Sequence, residues 1–316
     1  MFSKKVLSPL GREAVAVELP FEYSLEDTLE CGQCFRYQKK LCKDGYIEYL
    51  IPVGDALVEV GQRKRGELLF FDLGEEQTSR VAEFFSLNTD FGAIRREIAA
   101  RTDSEWLKAA AEYAGGIAIL KQDEWEAVFS FIVSQNNNIP RIRKIIRELS
   151  AAYGENLAIK KGLKKCPLDL INTAPCQEKC RECGICYSFP SADSVANNPS
   201  KMLPSKPGFR YKYLLDAAEK VSSGQINLSM ISAARSYTHT VECLKQIKGV
   251  GDKVASCAAL FGFGNLEAFP IDVWMKRAID EYFGGRLDPA ALGRYAGVAQ
   301  QYIFHYIRYL TKGSLE

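Results

Sequence analysis

Leu244-Lys-Gln-Ile-Lys-Gly-Val-Gly-Asp-Lys253-Val-Ala-Ser-Cys-Ala-Ala-Leu260 is the stretch on which the reading of this chain turns. It reads as a helix, a tight turn at Gly249-Val250-Gly251 and a second helix that starts around Asp252. Glycines at alternate positions permit positive φ angles and let another backbone come close, while the new helix presents unpaired N–H groups. Such a turn can bind a phosphate oxygen, directly or through a cation; taken alone, it reads as an ordinary connector between helices. Lys253 lies in the first turn, where the positive end of the helix dipole disfavours an ammonium. Its neighbours Val254, Ala255, Cys257 and Ala258 are apolar or small, so partial desolvation pushes the same way. A lysine that is neutral part of the time is a nucleophile suited to imine chemistry, against the plain alternative of a solvated helix lysine. Downstream, Phe269-Pro270-Ile271-Asp272-Val273-Trp274-Met275-Lys276-Arg277 opens another helix. Asp272 there is an N-cap acceptor; held near Lys253, it would also stabilise a developing cation or shuttle protons.

Outward from this segment, residues 14 to about 73 read as strands punctuated by Gly and Asp: AVAVEL, FRYQKKL, YIEYLIPV, ALVEVGQRK and GELLFFDLG, as in an antiparallel meander. From Thr78 the apolar spacing becomes helical and stays so. The expected fold class is α+β: an N-terminal antiparallel domain over residues 1–115 and an all-α domain over 116–316, divided at Gly115-Gly116. The 316 residues hold ample material for two cores. Only two histidines are present, His239 and His305, so triads and His-rich metal centres are excluded and the chemistry must rest on Lys, Asp, Glu or Cys. The formal charge of +2 is uneven: residues 201–316 carry 15 Lys and Arg against 10 Asp and Glu. No run of about 20 apolar residues and no export signal is visible, so no membrane partner is expected and the expected location is the cytoplasm, or the nucleoid in a bacterium.

Five segments carry a family resemblance. The stretch LKQIKGVGDKVASCAALFGF followed by FPIDVWMKR resembles the helix–hairpin–helix DNA glycosylase superfamily, with a lysine just after the hairpin and an aspartate 19 positions later. Phe129-Ser-Phe-Ile-Val-Ser-Gln-Asn136-Asn137-Asn138-Ile-Pro-Arg141-Ile is similar to the asparagine-run segment of 8-oxoguanine DNA glycosylase/AP lyases. Cys31-Gly32-Gln33-Cys34-Phe35-Arg36, Pro207-Gly208-Phe209-Arg210-Tyr211-Lys212-Tyr213 and Val298-Ala299-Gln300-Gln301-Tyr302-Ile303-Phe304 fit the same family in order and spacing. The resemblance implies a TATA-binding-protein-like N-terminal domain, a monomer, and double-stranded DNA containing 8-oxoguanine as partner. It implies Lys253 as nucleophile and Schiff-base former, Asp272 as its carboxylate, and no cofactor in catalysis. Gly32 would accept from the lesion's N7–H, Cys257 and Phe304 would sandwich the base, and Gln300 would address its Watson–Crick edge. Asn136 would fill the vacated stack, Arg141 would read the orphaned cytosine, Phe209 and Arg210 would form the wedge, and Gly249, Val250 and Gly251 would grip a phosphate.

Two positions depart from the family: Trp274 stands where a histidine is frequent, and Phe209 where tyrosine is common. Without the family, Asn136 to Asn138 read as a polar loop, Phe209-Arg210 as a core phenylalanine beside a surface arginine, and Gln300 and Phe304 as packing. Cys176, Cys180, Cys183 and Cys186 form a local cluster, with Cys166 upstream, in an insertion near 160–190 where the resemblance lapses. Four thiolates so close could hold a structural zinc or, chemically, an iron–sulfur cluster; reduced thiols in a loop are the alternative. Cys42 and Cys243 read as packing. The function so expected is excision of 8-oxoguanine opposite cytosine with β-elimination at the abasic site. The alternatives are a glycosylase for another damaged base and a non-catalytic DNA-binding protein.

Overall fold

The computed structural model describes residues 1–2, 4–163 and 181–313. Six strands form one antiparallel sheet: β1 Lys4–Leu7, β2 Glu13–Glu18, β3 Gln38–Lys43, β4 Tyr46–Val53, β5 Ala56–Gln62 and β6 Glu67–Phe71. Their spatial order is β1-β2-β6-β5-β4-β3, so β3 to β6 are the expected meander, and β2 returns to pair with β6. Val15 lies opposite Phe70 and Val17 opposite Leu68. β4 is buried along its whole length because both faces are covered. Tyr49, Ile51 and Val53 enter the main core, whereas Leu50 joins Leu57, Leu157 and Ile185 in a small cluster behind the sheet. Cys42 was expected as packing and is exposed: β3 is an edge strand with one uncovered side.

Two early elements escape the strand pattern: β1 is a four-residue edge strand, and Leu25–Glu30 (α1) is a short helix between β2 and β3. Ser24 caps α1 by accepting from Asp27 N, and Glu26 and Asp27 supply the acidic first turn that favours a helix there. The helices that follow are α2 Glu75–Phe84, α3 Phe91–Ala100, α4 Glu105–Tyr113, α5 Glu124–Ser134, α6 Ile139–Tyr153, α7 Leu157–Lys160 and α8 Ala192–Asn197. After them come α9 Tyr211–Ser222, α10 Leu228–Ala234, α11 Tyr237–Leu244, α12 Asp252–Phe261, α13 Val273–Tyr282 and α14 Ala296–Gly313. The apolar pattern over residues 80–100 is split into α2 and α3 because Ser86 takes a left-handed backbone, φ 52°.

Segments on both sides of Gly115-Gly116 share one hydrophobic core. Gly116 is there for close approach: its carbonyl accepts from Ser24 N at 2.7 Å, and a Cβ on it would fall 2.8 Å from that of Ser24. Beyond it, Ala118 N donates to Thr28 Oγ1 and Leu120 N to Gln33 Oε1, stitching the chain leading into α5 along α1. Trp106 of α4 stacks on Tyr282 of α13 at 4.5 Å. Among the described residues, no helix is long and apolar enough to cross a membrane.

Of the cysteine cluster, Cys166, Cys176 and Cys180, and the side chain of Cys183, lie outside what is described. Cys186 is buried with Leu50, Leu57, Leu157, Ala158 and Ile185. Among the described residues no three His, Cys, Asp or Glu groups are arranged to hold a metal ion.

Candidate active site and DNA interface

Most helices here are closed at the N-terminus by a side chain: Ser24, Asp90, Ser104, Asp123, Asn138 and Ser236 each accept from the first turn. α12 is different. Its N-cap is Gly251, which offers no side-chain acceptor, so the first N–H groups of the helix stay available to an outside oxygen. Gly249 takes a left-handed backbone at φ 78°, and a Cβ there would strike the Tyr213 ring at 2.5 Å. Gly251 has φ −104°, which any residue can adopt, and no atom lies within 4 Å of where its Cβ would be. The first glycine is thus required by the fold, and the second leaves room for an approaching phosphate. Lys245 pairs with Asp252 at 2.6 Å across the hairpin.

Lys253 is the second residue of α12, and its Nζ lies 5.9 Å from the Phe131 ring centre. That ring is fixed by Phe261 at 5.4 Å and Phe35 at 5.7 Å. One turn along α12, Cys257 is 5% exposed. Burial pushes its thiol up to about 11; Lys253 opposes the rise and Asp272 adds to it. All three groups therefore share one neighbourhood around a buried thiol. Asp272 caps α13: its Oδ1 accepts from Met275 N at 2.9 Å. That bond fixes the carboxylate while leaving Oδ2 without a partner among the described residues.

Gly32 follows α1 and has φ 93°, beyond the ordinary range of an L-residue. A Cβ on it would sit 3.4 Å from Ile139 Cδ1 and 3.7 Å from Phe304 Cε1, so this backbone and the Phe304 ring face each other. Its neighbour Gln33 holds the loop from beneath. The buried Gln33 amide donates to Thr28 O and Ala118 O, both at 2.8 Å, and accepts from Leu120 N at 2.8 Å. Gln300 lies one turn before Phe304 on α14, 3% exposed, and its Oε1 accepts from Gln301 Nε2. Arg308 lies over the other part of the Phe304 surroundings, its guanidinium 5.3 Å from the ring centre. α14 reaches this position because Gly297 admits α12: a Cβ on Gly297 would meet Leu260 Cδ1 at 2.6 Å.

The three asparagines divide their labour. Asn138 Oδ1 caps α6 by accepting from Arg141 N, and Asn137 accepts from Asn138 N and donates to Val133 O. Asn136 is exposed, it alone of the three takes a left-handed backbone, φ 46°, and its side-chain amide makes no bond among the described residues. Arg141 is exposed in the first turn of α6. The alternative of a core phenylalanine beside a surface arginine is inverted: Phe209 is 48% exposed and Arg210 only 4%. Arg210 donates from Nε to Gln135 O and from Nη2 to Gln135 O and Asn136 O. It therefore braces the asparagine loop from inside.

Three residues at this surface escape sequence reading. Gln33 locks Gly32, Gln135 donates to Gly249 O at 3.1 Å and ties the asparagine loop to the hairpin, and Tyr213 fills the space beneath Gly249. Trp274 is half-buried in the first turn of α13.

A glycine hairpin with an unfilled helix terminus, a lysine beside a carboxylate and an exposed aromatic and amide nearby together define a helix–hairpin–helix DNA glycosylase. The fold is shared with a 3-methyladenine DNA glycosylase of Archaeoglobus fulgidus at 15% identity, TM-score 0.67, over 94% of this chain and 99% of that one. Residues 18–128 match the family model of the 8-oxoguanine DNA glycosylase N-terminal domain. The solved structure of MBOgg1 in complex with a low affinity DNA ligand is 31% identical, with TM-score 0.78 over 98% of this chain and all of that one. The Clostridium acetobutylicum 8-oxoguanine glycosylase/lyase, solved with double-stranded DNA containing cytosine opposite 8-oxoguanine, is 29% identical at the same TM-score, over 98% and 99%. The N-glycosylase/DNA lyase OGG1 of Arabidopsis thaliana is 28% identical over 91% of this chain and 74% of its own length. This chain belongs to the 8-oxoguanine DNA glycosylase family.

Proposed function

We propose that this chain is a bifunctional DNA glycosylase and AP lyase that removes 8-oxoguanine from duplex DNA opposite cytosine, the first step of base excision repair. The observation that carries the reading is the placement of Lys253 and Asp272 near the buried Cys257, on a helix whose first turn has no side-chain cap.

The hairpin at Gly249, Val250 and Gly251 grips a backbone phosphate and sets the lesion strand against α12. Phe209 wedges into the stack, Asn136 enters the gap left by the extruded base, and Arg141 addresses the orphaned cytosine through its several donors. The Gly32 carbonyl accepts from N7–H of the lesion. Guanine has a bare acceptor there, and facing two acceptors in a dry pocket costs about 2 kcal/mol or more. Phe304 and Cys257 hold the base faces, and Gln300 meets its Watson–Crick edge. A neutral thiol suits that position, since it packs as a small apolar group.

Lys253 Nζ then forms a bond to C1′ as the bond from C1′ to the base breaks, and the base leaves with the electron pair. Asp272 stabilises the positive charge that develops on the sugar and assists the proton transfers. Ring opening gives a Schiff base between Lys253 and C1′; loss of a C2′ proton then expels the 3′-phosphate by β-elimination and cuts the strand. No step requires a metal or cofactor. Trp274 replaces a frequent histidine, and its indole N–H can donate to a phosphate but cannot add charge.

The test is a panel of duplexes bearing 8-oxoguanine, 3-methyladenine, uracil or no lesion. Cleavage confined to 8-oxoguanine, strongest opposite cytosine, is the expected result; equal cleavage of 3-methyladenine would move the assignment to another lesion, and binding without cleavage would make the chain a DNA-binding protein.

A further inference from the structure

A second groove leads away from the asparagine loop. A cavity of about 710 Å³ runs along one side of α6, between the start of β3 and the short turn of helix at Pro199–Ser205. Among the described residues, Arg143, Lys144, Arg147 and Lys201 line it, against the single carboxylate of Glu148. The two arginines are held by the protein: Arg143 stacks 4.0 Å over the Tyr37 ring and donates to Tyr37 O at 2.6 Å, and Arg147 donates to Gln38 Oε1 at 2.6 Å. The two lysines differ. Lys144 is exposed, Lys201 lies 5.7 Å from the Tyr153 ring, and neither forms an ion pair among the described residues. Lys144 and Lys201 add positive charge to a groove already lined by arginine, and that favours a bound anion.

One end of the groove is continuous with the elements that read DNA. Pro140, in its lining, directly precedes Arg141, and Ser205, also in its lining, lies two residues before Pro207-Gly208-Phe209. A backbone that leaves the orphaned base at Arg141 therefore meets Lys144 one helical turn further on. We propose that this groove binds the sugar–phosphate backbone of the strand opposite the lesion, next to the orphaned cytosine, with Lys144 and Lys201 as its phosphate contacts. The proposal rests on the functional reading above and extends the DNA footprint beyond the hairpin, plug and wedge.

The experiment measures binding of an 8-oxoguanine·C duplex by fluorescence anisotropy from 50 to 300 mM salt, in the Lys253→Gln background so that the duplex stays intact. Lys144→Gln with Lys201→Gln should weaken binding and lower the slope of log K against log salt by about 1.8, since each phosphate contact contributes about 0.9. Lys108→Gln, an exposed lysine on α4, should keep the slope of the background protein. Neutral methylphosphonate linkages in the strand opposite the lesion should abolish the difference between the double variant and its background, and the same linkages in the lesion strand should preserve it. An unchanged slope, or a difference that survives neutralisation of the opposite strand, overturns the groove assignment. Cleavage of the lesion duplex by the unaltered protein tests the functional reading separately: cleavage with an unchanged slope removes the groove alone, and absence of cleavage removes the reading beneath it.

Discussion

Single residues only a turn or two apart have separable tasks in the proposed reaction. Lys253→Gln should abolish strand cleavage while leaving affinity for lesion duplex within a few-fold, because the amide keeps the length but cannot form an imine; binding and gel-cleavage assays check both halves. Gly32→Ala should lower kcat/KM for 8-oxoguanine·C by tenfold or more. An alanine at φ 93° is strained by about 1 kcal/mol, and relief of that strain would displace the carbonyl proposed to read N7–H. Binding to an abasic-site duplex, which carries no base to read, should change little; equal losses on both duplexes would assign Gly32 to the fold alone. The positions of Lys253 and Asp272 at helix starts were legible because the sequence marks each with Gly or Pro. The division among three consecutive asparagines was not legible, since identical residues are told apart only by which carbonyl or N–H each reaches. Gln33 was hidden for a related reason: its partner Ala118 lies 85 residues away.

Among elements, the joint that matters is the one between the asparagine loop and the hairpin. Gln135 bridges positions 114 residues apart, and Arg210 supports the same loop from the other side. Gln135→Ala should leave equilibrium binding within about threefold and slow single-turnover excision by about fivefold, with delayed base extrusion seen by a 2-aminopurine reporter beside the lesion. A purely structural role would instead lower the melting temperature and leave the extrusion phase unchanged in the folded fraction. The strands β2 to β6 were legible from short apolar runs punctuated by Gly or Asp, β2 from its alternation as well. The helix α1 was masked by lying between two strands, although Ser24 followed by Glu26 and Asp27 is a capping signal. The end of α2 was masked too, because nothing in the apolar pattern reports that Ser86 turns left-handed.

For the whole molecule, the near-neutral total charge conceals a basic C-terminal part, and the cysteines give stability a pH dependence. Burial pushes Cys31 and Cys257 both up to about 11, so the folded protein keeps protons that the unfolded chain releases near pH 9. Their contribution is fully present below pH 9 and is lost as pH rises towards 11, at about 3 kcal/mol or less for each thiol. Melting temperature should therefore fall between pH 8 and 10.5, and Cys257→Ala should flatten that fall; parallel curves for the two proteins would contradict the assignment. The claim on which the rest depends is that a single lysine, brought by the hairpin against an extruded base, forms a covalent bond to the sugar. Borohydride reduction during turnover of an 8-oxoguanine·C duplex measures it directly, with the cross-linked peptide identified by mass spectrometry. The account predicts one DNA-linked product carried on Lys253 and lost in Lys253→Gln; strand cleavage by the unaltered protein with no trapped complex, or trapping on another residue, would contradict it.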